Sequence, residues 1–251
     1  MHRILFFIGQ FPVYSYGVFL GIAFFVGIVF AARRAPRYGI SPEAVIEVAS
    51  LCIIGAVLGS RIAYVLLNFD YYRHNPSHIF FFREGGLTFY GGIAGAIVFA
   101  VPYIVSKKYP LASFFDLFAP PLALGYAIAR VGCFLNGCCY GRLCPFSFFL
   151  LGVKFPHLEG FRYPTQLYAV VYSLVIFFVL LRLEKTRSFK GELFLDYLVL
   201  YGIARFLVEY LRDEPFAFFG FLTVGQVACV LLILFALSLK GVLKRRGKPS
   251  I

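Results

Sequence analysis

The chain has 251 residues, of which 61% are hydrophobic and only 14% charged, with a mean hydropathy of +0.83. Soluble domains of this length do not have such a composition, and the long apolar stretches mean membrane spans. The net charge of +12 does not point to nucleic acid, because lysine and arginine collect in the cytoplasmic loops of multi-pass membrane proteins.

Seven apolar segments are predicted in chain order: Tyr14–Ala32, Pro42–Leu67, Leu87–Ser106, Leu111–Gly132, Pro164–Leu183, Leu193–Leu211 and Gly220–Leu239. Each is near the roughly 20 residues that a spanning helix needs. The expected fold is therefore all-α: a polytopic membrane protein of about seven transmembrane helices, forming one integral-membrane domain over residues 1–251. Longer connections are expected near 68–86 and 134–163. The first segment lacks a small-residue cleavage site and reads as a span rather than a removable leader.

Orientation follows from the basic residues. The set of loops and tail that includes Arg33, Arg34, Arg37, Lys107, Lys108 and the stretch from Lys240 holds fourteen lysines and arginines; the opposite set, including Arg3, Arg73, Arg142 and Arg212, holds seven. The positive-inside rule puts the first set in the cytoplasm. The N-terminus is then outside, the C-terminus inside, and an odd number of spans fits.

The other three basic residues, Arg61, Arg130 and Arg205, fall within spans. Arg61 lies about 19 residues into the second segment, or roughly 28 Å at 1.5 Å per residue. Arg130 is at a similar depth in the fourth. Arg205 sits in the sixth with Glu209 four residues on, on the same helix face. All four charges are expected in the outer half of the bilayer. Charge at that depth is costly unless it meets a partner or lines a polar cavity. Three cations against one carboxylate ask for an anionic ligand such as a phosphate. Two blander readings stand beside this one: Arg130 snorkelling to the surface, and Arg205 and Glu209 neutralising each other.

Glycines follow the deep arginine in Arg130-Val131-Gly132-Cys133-Phe134-Leu135-Asn136-Gly137-Cys138-Cys139-Tyr140-Gly141-Arg142, where they let the backbone turn and approach a ligand. A second run, Gly85-Gly86-Leu87-Thr88-Phe89-Tyr90-Gly91-Gly92-Ile93-Ala94-Gly95, leads into the third segment. Glycines there could bare amides toward an anion, or serve helix packing. Tyr14 and Tyr16 open the first segment as an aromatic belt would. His2, His74, His78 and His157 match no metal-binding spacing and read as surface or belt residues. The 134–163 connection, rich in aromatics, is expected to form short interfacial elements.

Cys52 and Cys229 lie in apolar runs and read as packing residues. Cys133, Cys138, Cys139 and Cys144 crowd together. Outside the cytoplasm some pairing is plausible, with Cys138 or Cys139 joined to Cys133 or Cys144 rather than to each other. A zinc site would have an uncommon spacing. A thiol that accepts lipid transiently is a further reading.

The order of these motifs resembles the prolipoprotein diacylglyceryl transferase family over nearly the whole chain. The resemblance rests on Tyr16-Gly17, Gly59-Ser60-Arg61, the Gly85–Gly95 run and the Arg130–Arg142 stretch. It continues in Tyr163-Pro164-Thr165-Gln166-Leu167-Tyr168, the segment from Tyr201 to Arg212 with its Arg205 and Glu209, and Gly225-Gln226. It implies an enzyme of the bacterial inner membrane whose active site faces the outer leaflet. Such an enzyme moves diacylglycerol from phosphatidylglycerol to the lipobox cysteine of a prolipoprotein signal peptide, forming a thioether and releasing glycerol phosphate. No metal or other cofactor is implied. By the resemblance, Arg130, Arg205, Tyr90 and Glu209 are the catalytic candidates. Arg61, Tyr16, Asn136, Gly141, Gly91, Gly92 and Cys138 are the substrate-binding candidates.

The chain departs from the family pattern where Tyr90 replaces a usual histidine, and where Cys133 and Cys138 stand for a common asparagine and glutamate. A phenol is a poor base at its ordinary pKa near 10. A lipid-binding paralogue without catalysis is therefore the alternative reading. A transporter has less support, since no inverted repeat or pair of broken helices is apparent.

Overall fold

The computed structural model describes residues 1–80, 86–148, 151–156, 158–218 and 220–246. The chain divides into two compact units, Met1–Phe30 with Phe115–Ile251, and Ala31–Phe114. Both are predominantly helical. Among the described residues six helices are long and apolar enough to cross a membrane: Ser15–Tyr38, Pro42–Leu67, Phe89–Ser106, Leu111–Asn136, Thr165–Leu183 and Val224–Arg245. The expected segment Leu193–Leu211 forms as a helix over Glu192–Glu209. It carries Glu192, Asp196, Arg205 and Glu209, and so falls outside the six.

The smaller unit is built on α2 (Pro42–Leu67), a short α3 (Phe69–His74) and α4 (Phe89–Ser106). The start of α2 is fixed locally. Ser41 has extended backbone and its Oγ accepts from Ala44 N at 3.2 Å, and Pro42 fills the first turn. Helices α2 and α4 then cross antiparallel on a seam of small residues. A Cβ on Gly59 would lie 2.7 Å from Gly95 Cα, and one on Gly95 would lie 2.8 Å from Gly59 Cα. Only glycine permits that approach. At the far end of the seam the Tyr103 hydroxyl donates to Glu47 Oε2 at 2.6 Å.

This seam settles the two readings of the glycine run. Gly91 lies against the Gly59 carbonyl and the Ala63 side chain, and Gly92 against Ala56 and Ser60. The Gly92 amide donates to the Thr88 carbonyl at 3.1 Å, and Thr88 N donates to the Ser60 carbonyl at 3.2 Å. Gly91 and Gly92 pack in this seam, and the Gly92 amide is engaged within its own helix start. Gly85 lies outside the described residues.

The connection after α2 is more ordered than its composition suggests, with α3 followed by a 3₁₀ turn at Pro76–Phe80. His78 Nδ1 pairs with the Tyr71 hydroxyl at 3.0 Å, and His74 Nδ1 pairs with the Asp70 carbonyl at 2.8 Å. Both histidines therefore have local partners. His157 lies outside the described residues.

The larger unit begins with an antiparallel hairpin, β1 (Ile4–Ile8) and β2 (Phe11–Tyr14), which runs into α1 (Ser15–Arg34). Helices α5 (Leu111–Asn136), α6 (Thr165–Leu183), α7 (Glu192–Glu209) and α8 (Val224–Arg246) follow. Their shared core includes Ala119, Ala123, Ile176, Phe177, Leu180 and Leu193. Three short strands in the 134–163 connection, β3 (Leu143–Cys144), β4 (Val153–Lys154) and β5 (Phe161–Arg162), pair in the order β3-β5-β4. A last hairpin, β6 (Phe216–Phe218) and β7 (Leu222–Thr223), joins α7 to α8. The expectation of an all-helical chain thus gains small sheets, which among the described residues lie in this unit.

Polar groups fix both ends of α7. At its start the fully buried Asp116 accepts from Gly191 N at 2.7 Å and Phe194 N at 3.1 Å, satisfying amides that the first turn leaves open. Lys240 of α8 pairs with Asp196 at 2.5 Å and Glu192 at 3.1 Å. At its other end stand Arg205 and Glu209. The ionisable residues that make α7 too polar for a simple hydropathy criterion are therefore paired within the fold.

Candidate active site

The end of the larger unit where α5 and α7 finish and α6 and α8 start holds a recess. It is lined by Tyr126, Arg130, Thr165, Ala169, Tyr172, Arg205, Val208 and Arg212. It is shallow: the roughly 200 Å³ of empty space there includes open solvent.

Three guanidiniums reach it: Arg130 from α5, Arg205 from α7 and Arg212 from just past the end of α7. Arg130 is four residues beyond Tyr126 on α5. Its Nη2 donates to the Tyr126 hydroxyl at 2.6 Å, and its guanidinium carbon lies 4.6 Å from that ring's centre. The Tyr172 hydroxyl donates to the Tyr126 oxygen at 3.3 Å. Tyr126 thus holds the arginine from α5 and ties it to α6. Among the described residues no carboxylate lies within ion-pair distance of Arg130. Arg205 pairs with Glu209, four residues on, as the spacing predicts. Arg212, three residues further, places its Nε 3.6 Å from Glu209 Oε2 and pairs with Glu214 at 3.0 Å.

Glu209 is itself tightly placed. The Thr223 hydroxyl donates to Glu209 Oε1 at 3.3 Å, and a Cβ on Gly225 would lie 2.9 Å from the Glu209 carboxyl carbon. Thr223 and Gln226 form a reciprocal cap on α8. Gln226 N donates to Thr223 Oγ1 at 3.1 Å, and Thr223 N donates to Gln226 Oε1 at 2.9 Å. Gly225-Gln226 therefore matters as the seat of a carboxylate that lies between two arginines.

The Arg130–Arg142 stretch folds back along α6 and α7. A Cβ on Gly132 would lie 2.7 Å from Phe19 Cβ and 3.3 Å from Tyr16 Cα, so α1 crosses α5 closely there. Gly137 turns the chain with φ +73° and Cys139 with φ +62°. Gln166 Nε2 then donates to the Cys138 carbonyl at 2.6 Å, and Thr165 Oγ1 donates to the Cys139 carbonyl at 2.8 Å. Gly141 bridges to Arg212, and a Cβ there would lie 2.9 Å from both Thr165 and Tyr163 side chains. Its role is backbone approach: Gly141 N donates to the Tyr163 carbonyl and Arg142 N to the Leu211 carbonyl, each at 2.8 Å.

The cysteines of this turn are free thiols. Hydrogen bonds from the Cys133 and Cys138 thiols, backed by the Arg130 and Arg212 guanidiniums, hold the Cys139 thiol well below its ordinary range. Asn136, the last residue of α5, hydrogen-bonds Cys138. Tyr16 is 42% exposed, with its phenol within electrostatic reach of this cluster and of Arg130.

Of the predicted site residues, the larger unit therefore brings together Arg130, Arg205, Glu209, Asn136, Cys138, Gly141 and Tyr16. Arg61, Tyr90, Gly91 and Gly92 belong to the smaller unit. Arg61 is 4% exposed, and its guanidinium has partners other than the expected phosphate. Nε donates to the Ile79 carbonyl at 2.9 Å, Nη1 to Gly86 at 3.1 Å and Nη2 to His78 at 2.6 Å. The ring of Tyr72 lies 5.4 Å away. In this structure Arg61 holds the carbonyls of His78, Ile79 and Gly86. Tyr90 is 77% exposed, with its ring 5.7 Å from that of Phe89. Sequence reasoning placed Arg212 among loop charges and missed Tyr126, Thr165 and Tyr172. The signal for Arg212 was its position only three residues past Glu209, close enough to reach the same carboxylate.

A family model for prolipoprotein diacylglyceryl transferase matches residues 3–240. The phosphatidylglycerol--prolipoprotein diacylglyceryl transferase of Bacillus cereus strain G9842 is 32% identical over 251 residues, covering 97% of this chain and 92% of the relative. The protein of the same name from Bacillus mycoides strain KBAB4 is 32% identical over 258 residues, covering 100% and 95%. That from Bacillus anthracis strain CDC 684 is 32% identical over 251 residues, covering 97% and 92%. With matches of this extent, running through both units and through every segment that builds the recess, the chain belongs to the prolipoprotein diacylglyceryl transferase family.

Proposed function

We propose that this protein transfers a diacylglyceryl group from phosphatidylglycerol to the lipobox cysteine of a prolipoprotein signal peptide. The observation that carries the reading is the recess in which Arg130, with no carboxylate in ion-pair distance among the described residues, stands beside Arg205 and Arg212, which share Glu209, leaving an excess of positive charge. In the reaction the acceptor sulfur forms a bond to the glyceryl carbon as the bond from that carbon to the phosphate oxygen breaks. The electron pair leaves with glycerol phosphate, and the acceptor's thiol proton is released. The phosphate passes from a singly charged diester to a monoester of higher charge. Guanidiniums fixed in place around the phosphate stabilise that change more than they stabilise bound lipid, which is the condition for catalysis.

In this reading Arg130 and Arg205 hold the phosphate, Glu209 orients Arg205 and Arg212, and Tyr126 aims Arg130. Asn136, Cys138 and Gly141 shape the rim, with Gly141 acting through the backbone. Tyr16 and Tyr90 are exposed enough to donate to the lipid or the incoming peptide. Arg61, Gly91 and Gly92 position the smaller unit rather than touching lipid. We also assign α7 as a seventh span. The recess lies at the end of the larger unit opposite Arg182, Lys185, Arg187 and Lys240, which the positive-inside rule puts in the cytoplasm. That supports a plasma-membrane protein whose site opens toward the outer leaflet. The family match through both units supports treating the chain as one functional domain.

The test is the purified protein with phosphatidylglycerol and a lipobox peptide. Peptide mass should rise by one diacylglyceryl group, with glycerol phosphate released in equal amount. Lipid binding without either product would establish the non-catalytic paralogue instead.

A further inference from the structure

We propose that Cys133, Cys138 and Cys139 form a three-thiolate site for one soft d¹⁰ metal ion, zinc(II) or copper(I), beside the guanidinium recess. The inference is independent of the lipid reaction. It starts from position: the three sulfurs all lie within 4.8 Å of one another. The Cys138 and Cys139 sulfurs are 3.8 Å apart. Two sulfurs each about 2.3 Å from an ion at the tetrahedral angle stand roughly 3.8 Å apart. That pair already has the spacing of a chelate, and the third sulfur needs to move by no more than about 1 Å.

Neighbouring residues do not ordinarily aim their side chains at one point. On a strand they face opposite ways, and on a helix they diverge. Here the left-handed backbone of Gly137 and Cys139 turns both thiols toward Cys133, which is carried on the last turn of α5. A left-handed non-glycine residue costs roughly 1–3 kcal/mol and persists only where its surroundings hold it. Thr165 and Gln166 hold it, by donating to the Cys139 and Cys138 carbonyls. The scaffold is thus fixed before any ion arrives, and no property of the lipid recess requires the thiols to converge.

The chemistry selects the ion. Thiolates favour zinc and copper(I) over magnesium or calcium. Three thiolates around a divalent ion carry one net negative charge, which the nearby guanidiniums of Arg130 and Arg212 offset. Cys133 is buried, and Cys139 reaches solvent, so one side is dry and the other admits the ion. A fourth position stays open for water or a small ligand. In sequence the spacing matches no common zinc motif, because the site depends on the turn rather than on the interval between cysteines.

Full-length protein in detergent, reduced and stripped of metal, is titrated in separate arms with zinc(II), copper(I) and cadmium(II), the last for its thiolate absorption band. One ion per chain is expected, with Cys133, Cys138 and Cys139 protected from maleimide in the mass spectrum. Cys139→Ser and Cys138→Ser should weaken binding by at least the roughly 10- to 100-fold that loss of a supporting group costs at metal sites. Cys144→Ser and Cys52→Ser should bind as the parent does. The protection measurement needs no variant, so a misfolded substitution leaves the test intact. Three results each overturn the site: neither zinc nor copper(I) bound, binding unchanged by both substitutions, or a disulfide among these cysteines in protein taken from membranes without reductant.

Discussion

In the smaller unit the buried guanidinium of Arg61 is enclosed by three backbone carbonyls and an aromatic ring. In the larger unit the guanidiniums of Arg130, Arg205 and Arg212 face a recess and share one carboxylate between two of them. Both arrangements solve the same problem, a cation deep along an apolar helix. The first uses the cation to close a connection. The second leaves part of its charge available to a visiting anion. A buried arginine is therefore a functional signal only when its neighbours leave it under-neutralised.

The comparison breaks most decisively at the arginines of the recess. Arg205→Lys, which keeps a cation beside the buried Glu209 but loses the guanidinium fork, should lower kcat/KM by about 100- to 1,000-fold, the range for loss of one electrostatic stabiliser, with the thermal midpoint nearly kept. Arg61→Met should do the reverse. It leaves three carbonyls without their donor, at about 1 kcal/mol each, and the loss should appear as a lower midpoint in detergent. If Arg61→Met keeps its midpoint and loses phosphatidylglycerol affinity, Arg61 touches lipid after all. Gly95→Leu tests the seam that carries the smaller unit. A side chain there meets the α2 backbone, so about 2–4 kcal/mol of stability should be lost, again read by thermal unfolding.

Much of the fold was legible because apolar length is a strong signal. The segment Pro42–Leu67 forms with the expected bounds, since Ser41-Pro42 marks its start chemically. Helix α7 was legible as an apolar stretch, but its charges were readable only as excess. Their pairing with Lys240 and Thr223 depends on α8, more than a dozen residues away in the chain. For the site, Arg205 with Glu209 could be read from an interval of four. The role of Tyr126 could not, although it has the same interval to Arg130, because an aromatic in a span looks like packing. The partners of Arg61 could not be read for a related reason. They are the backbone carbonyls of His78, Ile79 and Gly86, and a sequence shows no carbonyl as special. The glycine run pointed more to packing than to anion binding, and the antiparallel seam places Gly91 against Gly59.

A smaller effect belongs to Tyr126→Phe. The ring and its stacking on Arg130 stay, and only the hydroxyl that accepts from Nη2 is removed. A hydrogen bond from a charged donor is worth about 1.5–3 kcal/mol at most. The guanidinium can regain part of that from water or substrate, so a fall in kcat/KM of roughly 5- to 10-fold is expected, in kcat rather than in KM. A change confined to KM would mean that Tyr126 holds substrate and does not aim the arginine.

The smallest expected effect is a flat line. Cys139 is held as a thiolate across neutral pH by its neighbouring thiols and by Arg130 and Arg212. Its folded value lies below its unfolded one. The stabilisation this brings is present in full above the unfolded thiol range and declines as pH falls. In metal-free, reduced protein its alkylation by iodoacetamide should therefore barely change between about pH 6 and 8, since the reactive thiolate is already formed. A free cysteine in the same buffer should gain about tenfold in rate per pH unit over that window. The slope is followed residue by residue in the mass spectrum. In Cys133→Ser the slope should steepen more than in Arg212→Gln, because the thiol hydrogen bonds outweigh the guanidiniums as the cause. If the parent protein already shows the steep slope, the neighbouring thiols do not hold Cys139 as a thiolate, and the turn gives it no special reactivity.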